Sequence, residues 1–192
     1  MAAMSALRQP APISVEDYLE GELVSEVKHE YLGGEVHAMA GASNQHNEIA
    51  GNSYLAFGTA LRGKPCRPFN SDTKVRVQFF NHTRFYYPDA MVVCHKNHAQ
   101  DQWQDRPVVI VEVLSESTRR IDLAEKREAY LTIPSLMVLI LAEPDEPALT
   151  VHRRQPDGGF AREDYSGLDA VVPLPEIEAS FPLAEVYEGV EF

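Results

Sequence analysis

The chain has 192 residues, 44% hydrophobic and 24% charged, which suits one globular domain with a substantial core. No apolar run approaches the roughly 20 residues of a membrane span, and the start, Met1 to Ala11, carries one arginine and no long apolar stretch, so it does not read as a secretory signal. Seventeen basic against 29 acidic side chains give a formal charge of −12, a point against a generic nucleic-acid binder but not against a nuclease that gathers its cations on one face or uses bound metal. Cys66 and Cys94, the only cysteines, are too few for a disulfide framework and read as free thiols in a reducing cytoplasm.

In chain order, Ser14 caps a short helix through Leu19 with acids in its first turn. Two short strands follow, His29 to Met39, joined at Gly33-Gly34 as a hairpin. Ser43 or Asn44 caps a helix to about Arg62 with an inner stripe of Ile49, Ala50, Ser53, Ala56, Phe57 and Ala60. Asp72 to Phe79 alternates Val75, Val77 and Phe79 with Lys74, Arg76 and Gln78, a half-exposed strand with a polar face. Phe85 to Cys94 and Val108 to Leu114 are apolar strands, and Arg119 to Leu131 is a helix ending before Pro134. A buried strand, Ser135 to Ala142, precedes a hairpin of Leu149 to Arg154 and Phe160 to Tyr165 around Asp157-Gly-Gly159. The pattern predicts one α/β domain over 1–192, a mixed sheet with helices on both faces, and a core spanning about 13–165. Residues 166–192, rich in Pro and Glu, are expected to wrap the surface and end in a turn near Leu183 to Tyr187.

The chemistry is concentrated at two carboxylates in apolar strands. Glu112 interrupts Pro107-Val-Val-Ile-Val-Glu-Val-Leu114, and Asp89 follows Tyr86-Tyr-Pro88 at the head of Ala90-Met-Val-Val93. A buried ionised group costs several kcal/mol unless it is paired, hydrogen-bonded or bound to a cation. Alternation puts Ile110, Glu112 and Leu114 on one side of the strand and Val109, Val111 and Val113 on the other. Successive short strands usually pair, so Asp89 and Glu112 can share a cation. Winding the next helix at about 100° per residue puts Asp122, Leu123, Lys126, Ala129 and Tyr130 in one arc, turning Lys126 toward Glu112. A Glu112–Lys126 ion pair would account for those two groups without chemistry. Asp89, with no basic neighbour in sequence, tips the balance toward a divalent ion.

Residues of this kind, in this order, resemble the PD-(D/E)XK nuclease superfamily, and the wider pattern resembles its Uma-type branch of bacterial restriction-endonuclease-like proteins. The matching segments are Glu30-Tyr-Leu-Gly-Gly-Glu-Val36, His46, Ser71-Asp-Thr-Lys-Val-Arg-Val77, Tyr87-Pro-Asp89, Val111-Glu-Val-Leu-Ser-Glu-Ser-Thr118, Asp122 with Lys126 and Tyr130, and Ile133-Pro-Ser135. Together they cover about residues 13–190. The resemblance implies a restriction-endonuclease-like fold, a central mixed sheet flanked by helices with added hairpins. It implies a Mg²⁺- or Mn²⁺-dependent endonuclease acting on DNA, with Asp89 and Glu112 as catalytic metal ligands. A backbone carbonyl near Val113 would complete the metal set, and Lys126 would be the catalytic lysine. The superfamily pattern has lysine two positions beyond Glu112, where this chain has Leu114; the branch's lysine matches Lys126 on the helix. His46 would orient a water or phosphate, against the commoner reading of a packed helix histidine.

Asp122 reads as a first-turn acid paired with Lys126, or as an accessory site group. Lys74 and Arg76 are a solvated face or contacts to a phosphate backbone, and Arg119 and Arg120 at the helix start can likewise meet phosphate. Tyr130 reads as a packed core ring. His95 and His98 flank a polar loop without the further ligands of a zinc site. A homodimer fits an enzyme that cuts both strands of a duplex. The rival reading is a nuclease-fold binding or assembly module without turnover, favoured by the acidic surface and the missing strand lysine.

Overall fold

The computed structural model describes residues 11–115 and 122–192, with the side chains of the second stretch described from residue 124 onward. Arg119, Arg120 and the side chain of Asp122 therefore lie outside the described residues. Helix α1, Val15–Val24, starts where Ser14 accepts a hydrogen bond from the Asp17 N–H at 3.0 Å. Strands β1, His29–Leu32, and β2, Glu35–Ala38, form the expected hairpin. Gly33 and Gly34 have φ of 66° and 117°, the positive values that two-residue hairpin turns demand. Helix α2, Asn44–Ala60, is capped by Ser43, which accepts from the His46 N–H at 3.1 Å. Its buried stripe is Ile49, Ser53, Ala56 and Phe57, and Ser53 is satisfied by donating to the Ile49 carbonyl.

Strands β3, Arg67–Asn70, β4, Lys74–Gln78, β5, Thr83–Tyr86, β6, Ala90–Val93, β7, Trp103–Gln104, and β8, Pro107–Val113, follow. A π-helical turn, Asp122–Lys126, runs into α3, Arg127–Leu131. The chain continues through β9, Val138–Ala142, β10, Ala148–Arg154, β11, Phe160–Ser166, β12, Val171–Leu174, β13, Ala179–Pro182, and α4, Leu183–Val186.

Two mixed sheets take the place of a single central one. The first has the order β2-β1-β5-β4-β7 and the second β11-β10-β9-β8-β6-β3, with β12-β13 as a separate hairpin. The β4–β7 and β8–β9 pairs are parallel and the other pairs antiparallel. Parallel neighbours need a crossover; the β8–β9 crossover carries the π turn and α3, so Glu112 and Val113 end β8 where the chain leaves the sheet.

The expected continuous strand from Phe85 to Cys94 is broken. Its first half, β5, belongs to the first sheet and its second half, β6, to the second. Pro88 has no N–H to continue a ladder and restricts Tyr87 before it, so the chain changes sheets there and Asp89 falls at the junction. The faces of β8 separate as alternation predicts. Val109, Val111 and Val113 join a core with Ile49 and Phe57 of α2, while Ile110 and Leu114 join one with Tyr130, Val75 and Tyr86.

Three further expectations are corrected. Residues 166–192 do not merely wrap the surface: Val172, Leu174, Ile177, Phe181, Leu183, Val186 and Tyr187 are buried in the α2 core, and Phe181 stacks on Phe57 at 4.6 Å. Cys66 and Cys94 are joined in a disulfide. The β3–β6 register pairs Arg67 with Val93, which sets the two cysteines opposite each other, a proximity invisible in their separation of 28 residues. The compartment inferred from free thiols thus loses its premise. Finally, Lys74 is not on a solvated face: it is 5% exposed, packed over the rings of Tyr87 and Tyr18. No helix among the described residues is long and apolar enough to cross a membrane.

Candidate active site

Asp89 is held from two sides. One carboxylate oxygen accepts the Val113 N–H at 2.7 Å, and the other lies 3.0 Å from His46 Nε2. The Ser43 cap places His46 in the first turn of α2, and the β6–β8 ladder brings Val113 alongside. One step past the Ala90–Val111 pair of that ladder, Asp89 comes level with Glu112.

Glu112 is 4% exposed and accepts a hydrogen bond from the Tyr130 hydroxyl at 2.6 Å. Burial, then the Glu112 and Glu30 charges, push the Tyr130 hydroxyl well above the ordinary tyrosine range. The phenol therefore stays protonated and serves Glu112 as a donor. Its ring meets Tyr86 edge-on at 5.4 Å, and burial pushes the Tyr86 hydroxyl up to about 12.

Lys126 is buried as the helix arc requires, although the local geometry is a π turn rather than an α-helix. Single π turns occur often at functional sites. Its ammonium lies 2.8 Å from Glu30 Oε1 and 5.9 Å from the centroid of Tyr86. Glu30 comes from β1 of the first sheet, so this ion pair ties that sheet to the crossover between β8 and β9 of the second. Leu114, at the position where the superfamily pattern has lysine, is 1% exposed in the apolar core and takes no place in the site.

The remaining candidates divide. His46 and Val113 meet Asp89, as described. Lys74 and Arg76 lie on the opposite face of the first sheet. Arg76 is bidentate to Asp105 at 2.7 and 2.9 Å and covers Trp103, while the nearest acceptor of Lys74 is Gln102 at 3.5 Å. Lys74 is thus covered, whereas Arg76 keeps 34% of its side chain exposed. His95 and His98 are exposed on their loop.

Two residues gain a place beside the site only in the structure: Glu30, and Tyr130, which by sequence reads as a packed core ring. Glu30 carried a signal in the hairpin alternation, which places it beside the inward Leu32 and opposite Tyr31. Tyr130 follows Lys126 by four residues, the spacing that puts two side chains on one helix face.

Among the described residues no three His, Cys, Asp or Glu side chains are gathered closely enough to hold a metal by themselves. Two carboxylates and a backbone carbonyl nevertheless suit a hard divalent cation, because Mg²⁺ is commonly bound by one or two carboxylates and keeps several waters. An ionised carboxylate offers about four lone-pair directions, so the bonds from Val113 and His46 leave acceptor capacity on Asp89.

Comparison with known proteins agrees with this architecture. The model of the Uma2 family, described as "Putative restriction endonuclease", matches residues 15–184. Protein slr1290 of Synechocystis sp. is 31% identical over 181 residues, 94% of each chain, and protein sll1609 of the same organism is 30% identical over 134 residues, covering 68% of this chain and 75% of its own. A crystal structure described as a "putative nuclease belonging to DUF820" from Anabaena variabilis superposes with a TM-score of 0.72 at 17% identity, covering 94% of this chain and all of the other. At that identity the superposition speaks for the nuclease fold. With a match over nearly its whole length, the chain belongs to the Uma2 family of restriction-endonuclease-like proteins.

Proposed function

We propose that this protein is a Mg²⁺- or Mn²⁺-dependent endonuclease that hydrolyses phosphodiester bonds of DNA at Asp89, Glu112 and Lys126. The observation that carries the reading is the placement of two acids from neighbouring strands, Asp89 at the junction between sheets and Glu112 at the buried end of β8, with a buried lysine on the helix that follows. Asp89, Glu112 and the Val113 carbonyl would hold the cation, which supplies Lewis acidity to the phosphate and lowers the pKa of the attacking water.

The chain's own groups supply the rest. Val113 and His46 fix the Asp89 carboxylate, so its orientation is set before substrate arrives. Tyr130 orients Glu112 in the same way. Lys126 meets the negative charge that grows on the phosphoryl oxygens, and its burial strengthens that interaction relative to water. An overall charge of −12 repels DNA at a distance; bound divalent ions counter that repulsion where the scissile phosphate sits. Cutting both strands of a duplex calls for two such sites, hence a homodimer.

Mn²⁺ titration calorimetry and plasmid nicking test the reading. Wild type is expected to bind Mn²⁺ and nick, while Asp89→Ala and Glu112→Ala each lose Mn²⁺ binding. Nicking should fall by about a hundredfold or more, the scale of losing several kcal/mol of charge stabilisation. A wild type that binds no Mn²⁺ would point to the non-catalytic module, and nicking that survives Glu112→Ala would remove the assigned chemistry.

A further inference from the structure

Resting on that reading of the site, we infer that Glu30 is a positioning residue that acts through Lys126. It reaches the ammonium from the other sheet at 2.8 Å. Both groups are largely buried, with side-chain exposures of 14% for Glu30 and 9% for Lys126. Strand β1 alternates: His29 and Tyr31 turn toward α1, while Glu30 and Leu32 turn toward the second sheet and its crossover helix. The β1–β2 hairpin pairs Glu30 with His37, and the β1–β5 ladder holds its neighbours Tyr31 and Leu32. Its carboxylate is therefore anchored on a rigid element, whereas Lys126 hangs on a flexible four-carbon stem.

This matters because the lysine comes from the wrong place for the usual strand arrangement. A strand lysine two residues beyond Glu112 would have its direction set by the pleat. A helix lysine has no such constraint and must be aimed by its surroundings. The Tyr86 ring borders the ammonium at 5.9 Å, and Glu30 places an opposite charge 2.8 Å from it. An ammonium has three donors, so its pairing with Glu30 is compatible with a simultaneous contact to a phosphoryl oxygen. The Tyr130 hydroxyl, which feels both Glu30 and Glu112, ties this pair to the metal-binding side of the site. Glu30 thus does from the first sheet what the pleat would do for a strand lysine.

The test is a double-mutant cycle in plasmid nicking with Mn²⁺, using Glu30→Gln, Lys126→Met and the two combined, with calorimetry and thermal unfolding on each. Glu30→Gln is expected to lower kcat by about 10–100-fold, the usual effect of losing a supporting partner. KM and Mn²⁺ affinity should stay within about threefold, and Glu30→Asp should recover part of the rate. The combined variant should be no slower than Lys126→Met, because residues that act through one another are non-additive. Losses that multiply would overturn the inference. So would a Glu30→Gln variant that keeps its full kcat per folded molecule while melting earlier, or one that loses Mn²⁺ as Asp89→Ala does. A wild type with no nicking overturns the nuclease reading and this inference with it, whereas an active wild type with an additive cycle overturns the inference alone.

Discussion

Two polar clusters flank the first sheet, one on each face, and β1 feeds both. Under α1, Glu22 accepts from His29 Nδ1 at 2.7 Å, from the Tyr87 hydroxyl at 2.6 Å and from the His29 N–H at 3.3 Å. Tyr18 donates to the His29 carbonyl at 2.6 Å, and a cavity of about 220 Å³ lies alongside, lined by Ile13, Asp17, Tyr18, Glu22 and His29 among others. On the other face, Glu30 pairs with Lys126 and Glu112 accepts from Tyr130, while Asp89, level with Glu112, is held by Val113 and His46. The first cluster surrounds one acid with donors and is complete as it stands. The second gathers acids, and on the proposed reading a divalent cation completes it. Burial and polarity alone therefore do not tell the two clusters apart; the proposed reading separates them by the balance of acids to donors.

The contrast can be broken most sharply at Lys126. Lys126→Met strands a buried Glu30 carboxylate, and stability is expected to fall by about 3–5 kcal/mol, the range for breaking one side of a buried pair, read by urea unfolding. A loss below 1 kcal/mol would mean that the pair is solvated and the cluster open. Tyr130→Phe comes next: losing a hydrogen bond to a charged group costs about 1.5–3 kcal/mol, and nicking should drop because Glu112 is no longer oriented.

The smallest effect is expected in the complete cluster. Glu22→Gln keeps one acceptor oxygen and should cost about 1 kcal/mol at neutral pH, with Mn²⁺ binding unchanged. Burial alone would raise the Glu22 carboxyl, but hydrogen bonds from Tyr87 and His29 outweigh it and the net value lies below the ordinary 4.5. A depressed acid adds stability above its unfolded value and loses it as pH falls through its folded one. Unfolding midpoints of wild type should therefore drop below about pH 4.5 more steeply than those of Glu22→Gln. Parallel acid limbs, or Mn²⁺ binding lost in this variant, would erase the distinction between the two clusters.

Much of this was legible in one dimension. Ser14 and Ser43 mark two helix starts because a side-chain oxygen before a helical run satisfies an otherwise unpaired N–H. Gly33-Gly34 marks a hairpin, and the alternation in β8 assigns Glu112 to its face. Lys126 was turned inward by helical spacing even though the turn that carries it is π.

Other features depended on contacts distant in sequence. Nothing local in Lys74-Val-Arg-Val-Gln78 says that Tyr18 and Tyr87 will cover Lys74. Pro88 signals a break, but not that the two halves will enter different sheets. The burial of Phe181 and Val186 needed α2 as a partner, and the Cys66–Cys94 bond needed the β3–β6 register.

Local chemistry, which acts over a few residues, was enough to specify the helix caps, the hairpins, the face of each strand and the identity of the two strand acids. Which of those faces meet is a matter of long-range packing, since partners such as Glu30 and Lys126 are chosen by how two sheets and a crossover helix close on each other. Pattern names the groups that are costly to bury, and packing selects the neighbours that make their burial possible.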